Sequence, residues 1–333
     1  MRILLALVLA FAALWTGYWY IGASAKHAVL ASWFKDRRSE GWTVAYSSFS
    51  VIGFPGRFDS RFLDLEVFDP VSDLGWITPR FDIYALSYQP NHIIAGFDRH
   101  QTLKFPLERV TVDNTSMRAS VTFEPDTELA VRETLLRSED VRIGGSSGWT
   151  ASAQRFNFSS RATAGVAFAH DVVFDAASVT PTAAMRRALD PTGHMPETID
   201  TLFLDMVLGF DRAWDRIAVE TGTPEVTTIT LNRMNLVWGR LGLRGSGTLA
   251  VAKSGEITGR IKLEIRHWRE VLDLLVTSGL FDQATAKTIA QGLALLTAGT
   301  KDPASLKVPL ILRNGTMSLG PVPLGYAPYF VRR

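Results

Sequence analysis

The stretch VPLILRNGTMSL, residues 308–319, contains the pattern that decides the fold of this chain. Apolar residues occupy alternate positions in the two runs that flank the pair Asn314-Gly315: Val308, Leu310, Leu312, Met317 and Leu319. Alternation is typical of a strand with one buried face. Asn-Gly favours a two-residue hairpin turn, because both central residues of that turn need a positive φ. The stretch therefore predicts an antiparallel β-hairpin.

Similar alternation extends over much of the chain. Leu249 and Val251 precede the turn signal Ser254-Gly255, and Ile257 begins another apolar run. Further alternating runs lie at 63–67, 81–85, 110–112, 117–121, 156–158 and 166–168. Several short strands at close spacing indicate an antiparallel sheet. The expected fold class is α+β, mainly β: a long curved antiparallel sheet packed on a few amphipathic helices.

Helical periodicity predicts the elements that cover this sheet. Apolar residues recur at three- and four-residue steps in 196–221, 268–280 and 283–296, as on the buried face of an amphipathic helix. A shorter helix is predicted over 128–136. Core packing is the simpler role for these apolar faces, and a groove for an apolar ligand is the alternative. The candidate groove residues are Phe203, Phe210, Trp214, Trp268 and Leu275.

The N-terminal segment has the composition of a membrane-inserting helix. No residue from Ile3 to Gly22 is charged, and about 20 helical residues cross the ~30 Å hydrocarbon core of a bilayer. Aromatic residues crowd its far end, where an interfacial belt would lie. A signal-anchor is therefore favoured over a signal peptide cleaved after the A-x-A box at 23–25. The candidate anchor residues are Leu4, Leu7, Phe11, Leu14, Trp15 and Trp19.

The domain organisation follows from this segment. Residues 1–25 are expected to form the signal-anchor or transmembrane helix, and residues 26–333 a β-rich body, for which 42–190 and 191–333 are candidate sub-parts. Helical texture over 24–40 fits a continuation of the membrane helix, a stalk on the membrane surface or a cap on the sheet.

We expect a single-pass inner-membrane protein with its body in the periplasm. Basic residues that follow the segment favour the opposite orientation, but long domains are translocated largely regardless of charge. Cleavage of the segment would instead give a soluble periplasmic protein.

Composition and charge exclude several classes of function. The net charge is +2, with basic and acidic residues interspersed, so no basic face for nucleic acid is evident. The chain has no cysteine, which excludes disulfides and zinc-thiolate sites. Its six histidines lack metal-ligand spacing. No metal site and no cofactor are predicted.

One catalytic motif is matched formally. Residues 144–148, GGSSG, fit G-x-S-x-G around Ser146, and Asp171, Asp175 and His194 follow in an order that a catalytic triad permits. A nucleophile elbow requires a strand, a sharp turn and then a helix, whereas the sequence after the glycines is typical of strand or coil. A serine hydrolase is therefore the last hypothesis, and the protein is expected not to be an enzyme.

Several motifs of the chain are shared with a bacterial family: Trp42, Gly53-Phe54-Pro55-Gly56-Arg57-Phe58, Trp76, Pro79, Tyr88, Pro90-Asn91-His92 and Gly320-Pro321-Val322-Pro323-Leu324-Gly325. With them the chain resembles, along essentially its whole length, the envelope proteins grouped as domain of unknown function 2125. The resemblance implies no assigned activity and no catalytic residues. The plan of an anchor, a long curved sheet and late helices is similar to that of AsmA-like envelope proteins, which implies a link to phospholipid movement or outer-membrane homeostasis.

Two further hypotheses precede the hydrolase. The first is a membrane-tethered, non-catalytic envelope protein that binds or transfers phospholipid or another apolar ligand in a groove. It is motivated by apolar residues on both faces of the strand around 81–88, because each apolar face of a sheet must be covered. The second is a scaffold that docks other envelope proteins through strand edges or the segment 326–331. Neither hypothesis involves nucleic acid.

Overall fold

The computed structural model of the chain describes residues 1–279, 283–297 and 302–330. Its helices are α1 (Arg2–Ser39), α2 (Ala183–Leu189), α3 (Arg216–Thr221), α4 (Trp268–Thr277) and α5 (Gln283–Thr297). Its strands are β1 (Thr43–Ala45), β2 (Ser48–Ile52), β3 (Asp59–Asp69), β4 (Leu74–Leu86), β5 (Gln89–Phe97), β6 (His100–Phe105), β7 (Glu108–Asp113), β8 (Ser116–Phe123), β9 (Val131–Gly145), β10 (Thr150–Ala162), β11 (Ala169–Thr180), β12 (Ile199–Phe210), β13 (Val226–Trp238), β14 (Leu241–Val251), β15 (Ile257–Arg266), β16 (Ser305–Arg313), β17 (Thr316–Leu319) and β18 (Val322–Tyr326). The expected class, α+β and mainly antiparallel β, is confirmed.

Helix α1 is a single helix of 38 residues. Among the described residues, it is the one helix long and apolar enough to cross a membrane. It runs without a break through 23–25, so the predicted helical segment 24–40 is a continuation of the apolar segment. Its last turns also lie on a sheet, where Phe34 is buried with residues of β1 and β3. Continuation and cap are therefore combined in one element.

The chain folds into two compact units. The first comprises Met1–Pro125 and Leu136–Gly148, and the second comprises Asp126–Leu135 and Trp149–Arg333. The change from one unit to the other after Gly148 falls within the predicted sub-part 42–190.

The first unit is an antiparallel sheet in which two consecutive short strands often pair with the two ends of one longer strand. Strands β1 and β2 pair with the two ends of β3, and β3 pairs with β4. Strands β5 and β6 pair with the two ends of β4. Strand β8 then pairs with β5, β7 pairs with β6, and β7 also pairs with the end of β9.

The second unit is a meander in which each strand from β10 to β18 pairs with the next one along the chain. Helices α4 and α5 cover one face of β15 and β16. The buried cluster beneath them consists of Ile265, Trp268, Leu272, Ala286, Ile289, Leu293, Leu306 and Val308. The Leu-rich faces of these two helices are therefore core.

Two predicted helices are wrong. Residues 196–221 form β12, a loop and the short helix α3, and residues 128–136 lead into β9. Even-numbered residues from Leu202 to Phe210 are all apolar, and Phe203 and Val207 between them are apolar too, so steps of two, three and four residues all fit. Pairing of β12 with β11 on one side and β13 on the other decides for the strand, since tertiary context overrides a weak local preference.

The hairpin prediction is confirmed. Asn314 and Gly315 have φ values of +52° and +67°, and they connect Arg313 of β16 to its partner Thr316 of β17. Strands β14 and β15 form the second predicted hairpin around Ser254-Gly255. The helices predicted over 268–280 and 283–296 are confirmed as α4 and α5, with Leu280 outside the described residues.

Candidate functional site

The last turns of α1 and the sheet of the first unit enclose an apolar cavity of about 610 Å³, which we call the α1 cavity. Its volume lies within the range of ~300–1,000 Å³ found for small-molecule sites. Its lining consists of Leu30, Trp33, Phe34, Trp42, Phe62, Leu65, Val67, Asp69, Ser72, Leu74, Gly75, Trp76, Phe81 and Ile83. Asp69 and Ser72 are the polar residues of this set, and they hydrogen-bond to each other at 2.6 Å.

A local irregularity of β3 and β4 brings this lining together. Phe62 pairs with Phe81, and Val67 pairs with Trp76, although strict alternation would place the two pairs on opposite faces. Between them Asp64 adopts a φ of +49°, which interrupts the alternation. The predicted run of 63, 65 and 67 on one face is therefore wrong at Leu63, which is exposed.

Aromatic contacts fix the floor of the α1 cavity. Phe62 is 1% exposed, stacks on Phe49 at 4.6 Å between ring centroids, and meets the edge of Phe34 at 5.5 Å. Trp76 packs edge-on against Phe81 at 4.9 Å. Offset and edge-to-face arrangements of this kind stabilise aromatic pairs beyond the area that they bury. The floor is thus an aromatic surface held together by ring contacts.

Apolar side chains form the mouth of the α1 cavity, and a guanidinium lies against two of its tryptophans. Trp33 and Leu74 are 46% and 44% exposed. The Arg37 guanidinium lies 5.8 Å from the ring centroids of both Trp33 and Trp42 and pairs with Glu40 at 2.7 Å. Its Nε atom is buried without a hydrogen-bond partner.

The predicted anchor residues divide into two groups. Leu4, Leu7, Phe11 and Leu14 are exposed along α1, as a helix surrounded by lipid would require. Trp15 and Trp19 instead contact the loop between β2 and β3 through their indole nitrogens.

The predicted groove residues of the second unit lie in separate surroundings. Phe203 carries the Arg233 guanidinium 4.5 Å from its ring centroid, whereas Phe210 packs edge-on against Trp214 at 5.7 Å. Trp268 is 2% exposed in the core beneath α4, and Leu275 lies on the same helix. The described side chains therefore form no single apolar groove from these five residues.

Phe203 instead lines a larger and more polar cavity of about 980 Å³. This cavity lies on strands β11 to β16, and its cationic lining residues are Arg233, Arg244, Arg260, Lys262 and Lys307. Glu264 and Asp175 are the acidic members of the lining. Its charge suits a polar anionic group better than a hydrocarbon chain.

The expectation of two apolar faces around 81–88 holds for one face. Phe81 and Ile83 line the α1 cavity, but Tyr84 donates a hydrogen bond to Asp82 at 3.0 Å. Arg61 and Arg80 pair with the same carboxylate at 2.9 Å and 2.7 Å. Burial alone raises the pKa of Asp82, but the hydrogen bonds from Arg80, Arg61 and Tyr84 outweigh it and lower that pKa.

The hydrolase motif lies in a strand–turn–strand segment. Ser146 follows β9 and precedes β10, and its hydroxyl accepts a hydrogen bond from the Arg109 backbone at 3.1 Å. Asp175 pairs with Arg155, Asp171 accepts from Thr163, and His194 contacts Thr192. The helix that a nucleophile elbow requires after the serine is replaced by a strand.

No group of three or more acidic or histidine side chains placed to hold a metal ion occurs in the part of the chain that the structure describes.

Sequence reasoning missed the α1 cavity because its lining comes from three separate segments. The available signal was the density of aromatic residues: Trp33, Phe34, Trp42, Phe62, Trp76 and Phe81 lie within a short part of the chain. A pattern read one element at a time does not show that these rings meet in one place.

Fold and cavity together define the class of protein. It is a mainly antiparallel β protein with an N-terminal apolar helix that fits a membrane anchor or signal sequence, and with an apolar cavity where that helix meets the sheet. The chain belongs to the family described as uncharacterized proteins conserved in bacteria, DUF2125, whose family model matches residues 19–328. This confirms the family predicted from the motifs. No curated protein and no solved structure matches the chain, and the likeness to AsmA-like proteins stays a prediction.

Proposed function

We propose that this protein is a non-catalytic, membrane-anchored envelope protein that holds the acyl part of a phospholipid in the α1 cavity. In this proposal α1 is a permanent anchor and the body lies in the periplasm. The observation that carries the proposal is an open cavity with an almost entirely apolar lining beside the membrane helix.

The apolar lining supports a hydrocarbon ligand. Burial of apolar surface stabilises a complex by roughly 25 cal/mol per Å² removed from water, and a lining with few polar groups offers little to a polar ligand. Water in such a cavity lacks the two to four polar partners that hold it. An acyl chain is the apolar ligand most abundant beside a membrane.

The position of the cavity along α1 supports a ligand taken from the bilayer. At 1.5 Å per residue, Leu30 lies about 12 Å beyond Gly22, where the uncharged segment ends. Arg37 follows, with its guanidinium 5.8 Å from the ring centroid of the lining residue Trp33. A guanidinium at this place can pair with a phosphate group, so the site suits a phospholipid better than an uncharged hydrocarbon.

The contacts of Trp19 support an uncleaved anchor. Its side chain is 7% exposed, and its indole donates a hydrogen bond to the Arg57 carbonyl at 2.7 Å. Cleavage after Ala25 would remove this side chain from the first unit. The loss would remove the ring that packs against Phe54 and Phe58.

The test compares two variants of the full chain in nanodiscs. Val67 lines the cavity, so Val67→Trp fills part of it, whereas Val166 is 55% exposed in the second unit and Val166→Trp makes the same chemical change elsewhere. Lipid around α1 is common to both variants. We expect less phospholipid per chain in Val67→Trp than in Val166→Trp, measured by native mass spectrometry and lipid extraction.

Equal lipid content in the two variants would refute the lipid-binding proposal. The scaffold hypothesis would then lead, because Tyr326 and Tyr329 are 90% and 59% exposed near the end of the described chain. Val331 of the predicted docking segment lies outside the described residues. The periplasmic location is tested separately by fusing alkaline phosphatase to the C-terminus, and an inactive fusion would place the body in the cytoplasm.

A further inference from the structure

The loop 53–58 between β2 and β3, which we call the Phe54 loop, lies along α1. Side chains of α1 donate hydrogen bonds to three carbonyl oxygens of this loop: Trp15 Nε1 to Pro55 at 2.9 Å, Trp19 Nε1 to Arg57 at 2.7 Å, and Lys26 Nζ to Phe58. Phe54 packs edge-on against Trp19 at 5.5 Å and is still 53% exposed. The loop is therefore tied to the helix by its backbone and presents an apolar side chain outward.

The turn after β4 is tied to the same part of α1. The Tyr18 hydroxyl donates to the Ser87 carbonyl at 3.0 Å, and the Ser87 N–H and hydroxyl both donate to the Gly56 carbonyl. The next residue, Tyr88, is 71% exposed. Phe54 and Tyr88 thus belong to one exposed aromatic edge beside the helix.

The length of α1 fixes the depth of this edge in a bilayer. Trp15 is the first residue of α1 with a hydrogen bond to the loop, and the preceding residues 2–14 are exposed. These residues span about 20 Å at 1.5 Å per residue, which is shorter than the ~30 Å hydrocarbon core. The remaining ~10 Å must come from residues 15–21, and these are the residues that carry the Phe54 loop and Ser87.

Several backbone groups of the loop have partners inside the protein, as a medium without water requires. Backbone groups within a membrane must find partners inside the protein, since each unsatisfied group costs several kcal/mol. Pro55 has no N–H group, and Arg57 and Phe58 donate theirs to Gly53 and Ala85. The carbonyls of Pro55, Arg57 and Phe58 accept the three α1 donors described above.

We propose that the Phe54 loop and Tyr88 are immersed in the membrane interface beside α1, where they contact lipid directly. The inference rests on the proposed anchoring of α1. Aromatic side chains favour this zone, and interfacial elements bury their apolar face about 5–10 Å deep, which agrees with the ~10 Å derived from the helix. The Arg57 guanidinium is paired with Asp59 and lies 5.1 Å from the ring centroid of Tyr84, so its charge is partnered within the protein.

The test uses single cysteines, because the chain contains none. Four full-length variants are labelled with an environment-sensitive fluorophore and reconstituted into phosphatidylcholine–phosphatidylglycerol vesicles: Leu9→Cys, Phe54→Cys, Tyr88→Cys and Leu107→Cys. Leu9 reports on the anchor, and Leu107, 99% exposed in the same unit, is the control for a site in water. Acyl-brominated lipid then quenches the probes that contact hydrocarbon.

We expect loss of fluorescence at positions 9, 54 and 88 and unchanged fluorescence at 107. Quenching at 9 with positions 54 and 88 behaving like 107 would overturn the immersed loop and leave the anchor intact. No quenching at 9 would overturn the anchor, and the immersed loop with it. Two probes in separate turns guard against a local effect of one cysteine.

Discussion

Gly22 is the place where a single methyl group should separate α1 from the Phe54 loop. A Cβ atom added there would lie 2.5 Å from the tip of the Phe58 ring, whereas carbon atoms in contact are about 3.5–4.0 Å apart. The ring would have to move by about 1–1.5 Å. It is held between Trp19, stacked at 6.1 Å, and Tyr18, tilted at 6.2 Å, so it cannot turn away without losing these contacts.

Gly17 provides a matched control on the same helix. A Cβ atom at Gly17 would meet nothing within 4 Å. Both Gly→Ala changes gain the helix propensity of alanine, worth about 0.8–1 kcal/mol, and this gain cancels when the two variants are compared. Gly22→Ala alone adds the overpacking of Phe58, which costs typically about 1–3 kcal/mol. We therefore expect Gly22→Ala to be less stable than Gly17→Ala by about 1–3 kcal/mol.

Guanidinium titration of the full chain in detergent micelles, followed by tryptophan fluorescence, measures this difference. Hydrogen exchange of the Phe58 amide, which donates to the Ala85 carbonyl, reports on the loop itself and should be faster in Gly22→Ala. Equal stability of the two variants with unchanged exchange would refute the close packing of α1 on the Phe54 loop.

Three further changes test the two units. Asp82→Asn leaves two arginine side chains without their carboxylate, so we expect a loss of about 1.5–3 kcal/mol in the unfolding titration. Burial lowers the pKa of His170, although the neighbouring Asp171 opposes this shift. As the pH falls, the unfolded state therefore binds a proton at this histidine before the folded state does. The free energy of unfolding should consequently decrease below pH ~6.5. This fall should vanish in His170→Gln and persist in His194→Gln, and identical pH profiles would contradict the assignment. Leu272→Ala removes a core side chain that is 6% exposed and should lower the free energy of unfolding by about 2–5 kcal/mol. Leu189→Ala, at an exposed site, should lower it much less. Equal losses of stability in the two variants would contradict the packing of α4.

Elements with a strong local signal could be predicted from the sequence. Asn314-Gly315 specifies its turn through two positive φ values, and the uncharged run from Ile3 specifies a helix whatever surrounds it. The strand β12 could not be predicted, because Leu202 to Phe210 satisfies the helical and the strand period equally well. Its conformation is decided by pairing with β11 and β13, which the local sequence of β12 does not reveal.

The candidate site was harder to predict than the fold. Phe203 and Trp268 were proposed for a groove because each is apolar and lies in a predicted helix. Phe203 lies on strand β12 instead, and Trp268 is buried in the core beneath α4. The α1 cavity depends on the irregular φ of Asp64, which brings Phe62 and Val67 to the same side. Such a reversal has no signature in a pattern of alternating residues.

Helix α1 continues without a break from its uncharged segment to the cavity. The number of residues between them therefore fixes both the distance and the rotation of the cavity relative to the uncharged segment. One residue inserted between Gly22 and Leu30 would raise the cavity by about 1.5 Å and rotate it by about 100° relative to the anchor. The contacts of Trp19 with the Phe54 loop and of Phe34 with the sheet could then not be kept together. Seven inserted residues would nearly restore the phase, since seven is close to two turns, but would lift the sheet about 10 Å. With α1 as the proposed anchor, its length between Gly22 and Leu30 sets the height of the cavity above the bilayer and the direction in which the cavity faces.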